Sequence, residues 1–183
     1  MLSLAGKLKA WASDRRGVAA IEFAFIAPLM VLFYFGLVEL CQAIIAERKT
    51  NHVASAIGDL VAQAESTTTS EVSDIFSIGK TIMAPFNTSS LTVKVSDVLM
   101  VNNKPTVQWS QGSGVKPSKK GDIVTLPTGM TLNNGDGLII SEVTYQYDSV
   151  FHYVLPNALP YKEAFYLRPR RSSDVPCADC PTS

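Results

Sequence analysis

Across residues 18–38 the chain is apolar at almost every position, and the only side chain there that is charged at neutral pH is Glu22. Wound as an α-helix this span is about 30 Å long, the thickness of a bilayer's hydrocarbon core. The pattern predicts a membrane-spanning helix. Ahead of it, Lys7, Lys9, Arg15 and Arg16 stand against the single acid Asp14. A short basic flank of this kind stays in the cytoplasm, so the remainder of the chain is expected on the outer side. Pro28 deletes one backbone hydrogen bond inside the run and predicts a kink, and Gly36 permits close approach of another helix.

Past residue 38 the helical period continues, with Val53, Ile57, Leu60, Val61 and Ala64 at spacings of three and four. Glu39, Glu47, Arg48, Lys49 and His52 supply the opposite, solvated side. The polar cluster "AESTTTSEVSD" interrupts this period, and Thr68 with Glu71 forms a capping-box pattern for a second helix over residues 70–83. Val72, Ile75, Phe76, Ile82 and Met83 form its inward stripe, and Pro85 ends it. The period then shortens to two. "SLTVKVSDVLMV" places Leu91, Val93, Val95, Leu99 and Val101 on one face, "NNKP" turns, "TVQWS" returns, "GDIVTL" makes a short third strand, and "GLIISEVTYQYDSV" and "KEAFYLR" complete an antiparallel sheet. The expected fold is α+β, a long N-terminal membrane helix running into a small antiparallel sheet domain. Its divisions are a basic cytoplasmic leader at 1–17, a transmembrane helix at 18–38, a helical continuation at 39–66, an extracytoplasmic domain at 67–171 and a flexible cysteine-containing tail at 172–183.

Composition narrows the function. Sixteen basic and sixteen acidic side chains cancel, so no overall field attracts nucleic acid or an acidic substrate. With 46% hydrophobic and 17% charged residues the chain is not broadly disordered. Lys116, Lys119 and Lys120 make one loop locally basic, and a solvated loop is the ordinary reading of such a cluster. No G-x-S-x-G, H-E-x-x-H or P-loop pattern occurs, and His52 and His152 are distant from each other and from paired carboxylates. No catalytic residue, cofactor or metal is therefore expected. Of three cysteines, Cys41 adjoins the apolar run while Cys177 and Cys180 form a C-x-x-C near the end. Set among prolines rather than at a helix start, that pair reads either as a small disulfide loop in an oxidising compartment or as two free thiols.

Glu22 has two readings. It lies near Arg15 and Arg16, so it can simply reach the interface or pair with them. Alternatively, a cut between Gly17 and Val18 would leave an ammonium group on Val18, at a helix end already positive from the helix dipole. Glu22, one turn on and on the same face, would then neutralise that amine or the amine of a neighbouring copy.

Here the residues carry a resemblance. "GVAAIEF", with Gly17 before the presumed cut, Glu22 fifth after it and Phe23 following, resembles the prepilin peptidase site of type IV pilins, in particular those of the Flp/Tad (tight adherence) system. Together with "IGDLVAQA" and "EAFYLRPRRSSDVPC", the chain resembles TadE/TadG-like minor pilins, or pseudopilins. It is longer than the Flp major pilin and lacks the D-x-S-x-S metal site of the von Willebrand type A domain in large TadG-like members, so the TadE class is the nearer likeness. The resemblance implies a non-enzymatic protein of the inner membrane, single-pass, with its C-terminal domain in the periplasm and possible incorporation into an extracellular pilus. Implied partners are other pilins and minor pilins, the prepilin peptidase and the inner-membrane assembly platform.

Two other targeting readings compete. A secretory signal peptide has an apolar stretch of about 7 to 15 residues, shorter than this one, although "CQA" at 41–43 is a passable cut site. An uncleaved signal anchor would instead make the outer domain a binding module for a periplasmic or surface ligand. The start of the mature chain separates these cases: Val18 for a pilin, Met1 for an anchor, Ile44 for a secreted protein.

Overall fold

The computed structural model describes residues 16–152 and 154–180. The basic positions Lys7, Lys9 and Arg15 of the expected leader lie outside the described residues. The first element, α1 (Arg16–Ala62), is one 47-residue helix that continues through Pro28. At 1.5 Å per residue it is about 70 Å long, twice what a bilayer core requires. The span expected to cross the membrane and its continuation are thus one rod.

Along the second half of α1, Gly36, Glu39, Ala43, Ala46, Thr50, Val53, Ile57 and Val61 are buried. They recur at spacings of three and four, which keeps one narrow stripe facing the domain. Most are small, and this lets the sheet lie close to the helix. A Cβ on Gly58 would stand 2.6 Å from Leu167 Cδ1 and 3.2 Å from the Ser141 Cβ. Thr50 returns its hydroxyl hydrogen to the Ala46 carbonyl at 2.9 Å, so its buried oxygen is satisfied within the helix. Leu60, expected inside, is exposed, because the buried stripe passes through Ile57 and Val61 on the adjoining face.

The second helix, α2 (Thr69–Met83), begins at the predicted capping box: the Thr68 hydroxyl accepts from the Glu71 amide, and the Glu71 carboxylate accepts from the Thr68 amide. Val72, Phe76, Gly79 and Met83 are buried, with Ile75 and Ile82 packed at the margin. Gly79 brings α2 against α1, since a Cβ there would meet Ile57 Cδ1 at 2.8 Å and Val53 Cγ1 at 3.1 Å. Lys49 of α1 donates to the Ile82 carbonyl at 2.8 Å, pinning the end of α2.

Four strands follow: β1 (Thr92–Val101), β2 (Lys104–Ser113), β3 (Gly137–Tyr147) and β4 (Leu159–Leu167). They form one sheet in the order β2-β1-β3-β4, and every neighbouring pair is antiparallel. Asn102 and Asn103, both with positive φ, make the two-residue turn between β1 and β2. Val93, Val95, Trp109, Ile139, Val143, Tyr145 and Tyr147 bury against the helices in the main core.

Because β3 pairs with β1 and not with β2, the connection from Ser113 to Gly137 must cross the sheet. It crosses on the face away from the helices and covers a second apolar cluster of Val98, Val107, Leu138 and Ile140 with Val124, Leu126, Met130 and Leu132. This corrects the expected third strand. Residues 121–126 make only an isolated bridge from Ile123 to Thr106 and a few backbone bonds along β2, since Pro117 and Pro127 bracket the segment and leave no run for a ladder. Leu99 is half-buried and Val101 exposed, although both share the Val93 and Val95 face.

Residues 172–180, expected as a loose tail, are docked. Val175 is fully buried in the main core, its carbonyl accepts from Trp109 Nε1 at 2.6 Å, and the Pro176 carbonyl accepts from the Thr67 amide at 3.0 Å. Asp179 caps the start of α2 by accepting from the Thr69 amide at 2.8 Å. The aliphatic Val175 between charged and cysteine-bearing neighbours supplies the apolar anchor.

Candidate membrane and assembly site

The first half of α1 presents an apolar surface that nothing described covers. Ile21, Phe23, Phe25, Leu29, Phe33 and Tyr34 all stand more than half exposed, Phe25 at 78%. A helix apolar on all sides needs an apolar surround, either lipid or other helices. By length and hydropathy the span within Gly17–Ala62 is sufficient to cross a membrane. Gly17 and Val18 occupy the first helical turn, and no atom of the described residues lies within 4 Å of where a Gly17 side chain would point. Glu22 lies one turn on, exposed, with no bonded partner among the described residues. Phe23 beside it is 72% exposed. The expected cleavage and assembly residues therefore share one accessible helix end.

A second acid on the same helix behaves oppositely. Glu39, taken from the sequence as part of a solvated face, is 1% exposed. One of its oxygens accepts from the Ser149 hydroxyl and the other from the Val154 amide at 2.7 Å. A buried carboxylate must be hydrogen-bonded to be tolerated, and these donors come from the turn between β3 and β4. That turn also packs on the helix directly: the Phe151 ring lies 5.2 Å from the Phe35 ring, and a Cβ on Gly36 would stand 3.1 Å from Val154 Cγ2. Burial first, then the negative charges of Glu39 and Asp148, hold the Tyr147 hydroxyl above its ordinary range. The signal that could have located Glu39 is its place in the small-residue series Gly36, Glu39, Ala43, Ala46.

A third acid is buried without such support. Asp97 on β1 is completely buried, opposite Trp109 and Ile139 in the sheet and beneath the docked tail. Removal from water pushes its carboxyl up to about 7, and the nearby Asp174 charge adds to this. The Val175 amide pulls it back in part, without reaching hydrogen-bond geometry with either oxygen.

The remaining candidates have structural surroundings. Cys177 and Cys180 are joined by a disulfide with their Cα atoms 5.5 Å apart, while Cys41 is a free, exposed thiol. Arg170 pairs with Asp59, and Arg171 approaches Glu65 at 3.5 Å, so these two arginines fasten the chain after β4 to the end of α1. His152 pairs with Asp148 at 2.9 Å on the surface. A cleft of about 740 Å³ lies between Val38 and Gln42 of α1, the turn at Phe86 and the strand end at Tyr147.

In comparisons with known proteins, neither a curated relative nor a solved structure matches the chain. Residues 17–58, from the glycine ahead of the expected cut to the glycine on which the sheet rests, match the family of TadE-like proteins.

Proposed function

We propose that this chain is a membrane-anchored minor pilin, or pseudopilin, of a Tad-type (type IVc) pilus, cut after Gly17 by a prepilin peptidase and active in assembly or priming of the fibre. The observation that carries this reading is where the TadE-like match falls. It begins at Gly17 and covers the apolar half of α1 and the docked half together. Before assembly the first half lies in the inner membrane with the outer domain in the periplasm. In the fibre or a priming complex, the same surface packs on helices of other pilins, and the assembly platform mediates the transfer. The chain itself performs no catalysis.

Glu22 supplies the electrostatics. A carboxylate at the centre of a membrane helix costs about 2.5 to 3.5 kcal/mol on insertion scales. Release of the Val18 amine one turn away provides a cation that offsets this cost, within one chain or between neighbours. Pairing between neighbours would also fix the axial register of packed helices.

The test is a pair of variants followed by intact mass and by fibre yield. Gly17→Asp should leave an unprocessed precursor in the membrane. Glu22→Ala should be inserted and cut but should fail to enter fibres. Normal processing of Gly17→Asp would remove the peptidase from the account.

A further inference from the structure

We propose that the turn carrying Val150, Phe151 and Val154 is a second membrane contact, seated at the outer edge of the hydrocarbon core, where the head groups begin, and held against α1 by Glu39. This rests on the reading that the first half of α1 spans the membrane, and it fixes where the outer domain sits relative to the lipid surface. Phe35 and Gly36, which touch Phe151 and Val154, lie within the membrane span, about 3 to 4.5 Å below its end at Val38 by helical rise. Any placement of α1 that buries residues 18–38 in the bilayer therefore carries this turn to the same depth.

Three features of the turn suit that depth. Val150 is 85% exposed, and Phe151 and Val154 are about half exposed, an apolar cluster that water disfavours and lipid does not. Irregular backbone at a membrane boundary needs its polar groups satisfied from within, and Glu39 accepts the Val154 amide and the Ser149 hydroxyl. Tyr34, Phe35 and Phe151 form a continuous aromatic contact, and Tyr34 belongs to the amphipathic aromatic class that settles at membrane interfaces. Lipid is the chosen occupant because the cluster is continuous with the helix surface that the membrane already covers.

The experiment uses the full chain in phosphatidylcholine vesicles, in a Cys41→Ser background, with an environment-sensitive fluorophore on a single introduced cysteine. Three sites are compared: Phe151→Cys in the turn, Leu32→Cys in the span and Ser118→Cys in the distant loop. Quenchers attached to lipid should cause loss of emission at 151 and 32 and none at 118. Adding Glu39→Ala should abolish the loss at 151 and keep it at 32. Emission at 151 that responds only to an aqueous quencher, while 32 responds to lipid, would overturn the second contact and leave the membrane helix standing. A lack of lipid quenching at 32 would overturn the spanning helix and the contact with it. Shielding of 151 from both quenchers, with cross-links between copies, would overturn the lipid assignment in favour of a second copy. Quenching at 151 that survives Glu39→Ala would overturn the role given to Glu39.

Discussion

The two halves of α1 are one helix in two different solvents. Residues 18–38 carry large apolar side chains that point outward on all sides, while the buried positions of residues 39–62 are largely small and face a packed domain. Their acids follow the same division. Glu22 lies on the open half and has no bonded partner among the described residues, whereas Glu39 is enclosed and has both oxygens hydrogen-bonded. Hydrophobicity alone therefore does not mark a core. In the half that awaits lipid or other helices the large apolar residues stay exposed, whereas in the covered half Val53, Ile57 and Val61 are buried among small residues such as Ala43, Ala46 and Gly58.

The largest expected effect concerns the packed region and its unsupported acid. Between the ordinary carboxylate range near 4 and about 7, folded chain holds a proton on Asp97 that unfolded chain has released. Raising the pH through that window should weaken the outer domain by on the order of 4 kcal/mol, from a shift of roughly three pKa units. Asp97→Asn should flatten the dependence and stabilise the domain at pH 8, as read by urea unfolding of detergent-solubilised protein. An unchanged pH profile in that variant would show that the Asp97 carboxyl is solvated after all.

Next in size is a direct contrast between the halves. Ile57, fully buried between α2 and the sheet, should cost about 3 kcal/mol when truncated to alanine. Phe25→Ala removes a larger side chain, yet it should change the unfolding free energy of the domain by less than about 0.5 kcal/mol, because nothing among the described residues covers it. Its effect should appear instead as weaker retention in the membrane. If both truncations destabilised the domain equally, the division of α1 into two solvents would fail.

Much of this arrangement was legible in local pattern. The apolar run, the Thr68 and Glu71 capping box and the Asn102-Asn103 turn each depend on neighbours a few residues apart, and each is found where the spacing placed it. The misreadings depend on distant partners. Glu39 bonds residues 110 and 115 positions away, and the small-residue series it sits in marks a packed face without naming the partner. The docked tail rests on Val175 meeting Trp109, a contact between chain segments that share no period. The segment at 121–126 has alternating character, but its flanking prolines and the crossing path denied it a strand. For the candidate site, Gly17, Val18 and Glu22 were proposed from spacing and Phe23 from the family resemblance, while the Glu39 turn emerged only in three dimensions.

The most direct test is the first residue of the protein recovered from its native membrane, read by N-terminal sequencing. A terminus at Val18, lost in Gly17→Asp, is the predicted result. Fibres that assemble from chains still beginning at Met1 would contradict the pairing of Glu22 with a newly released amine.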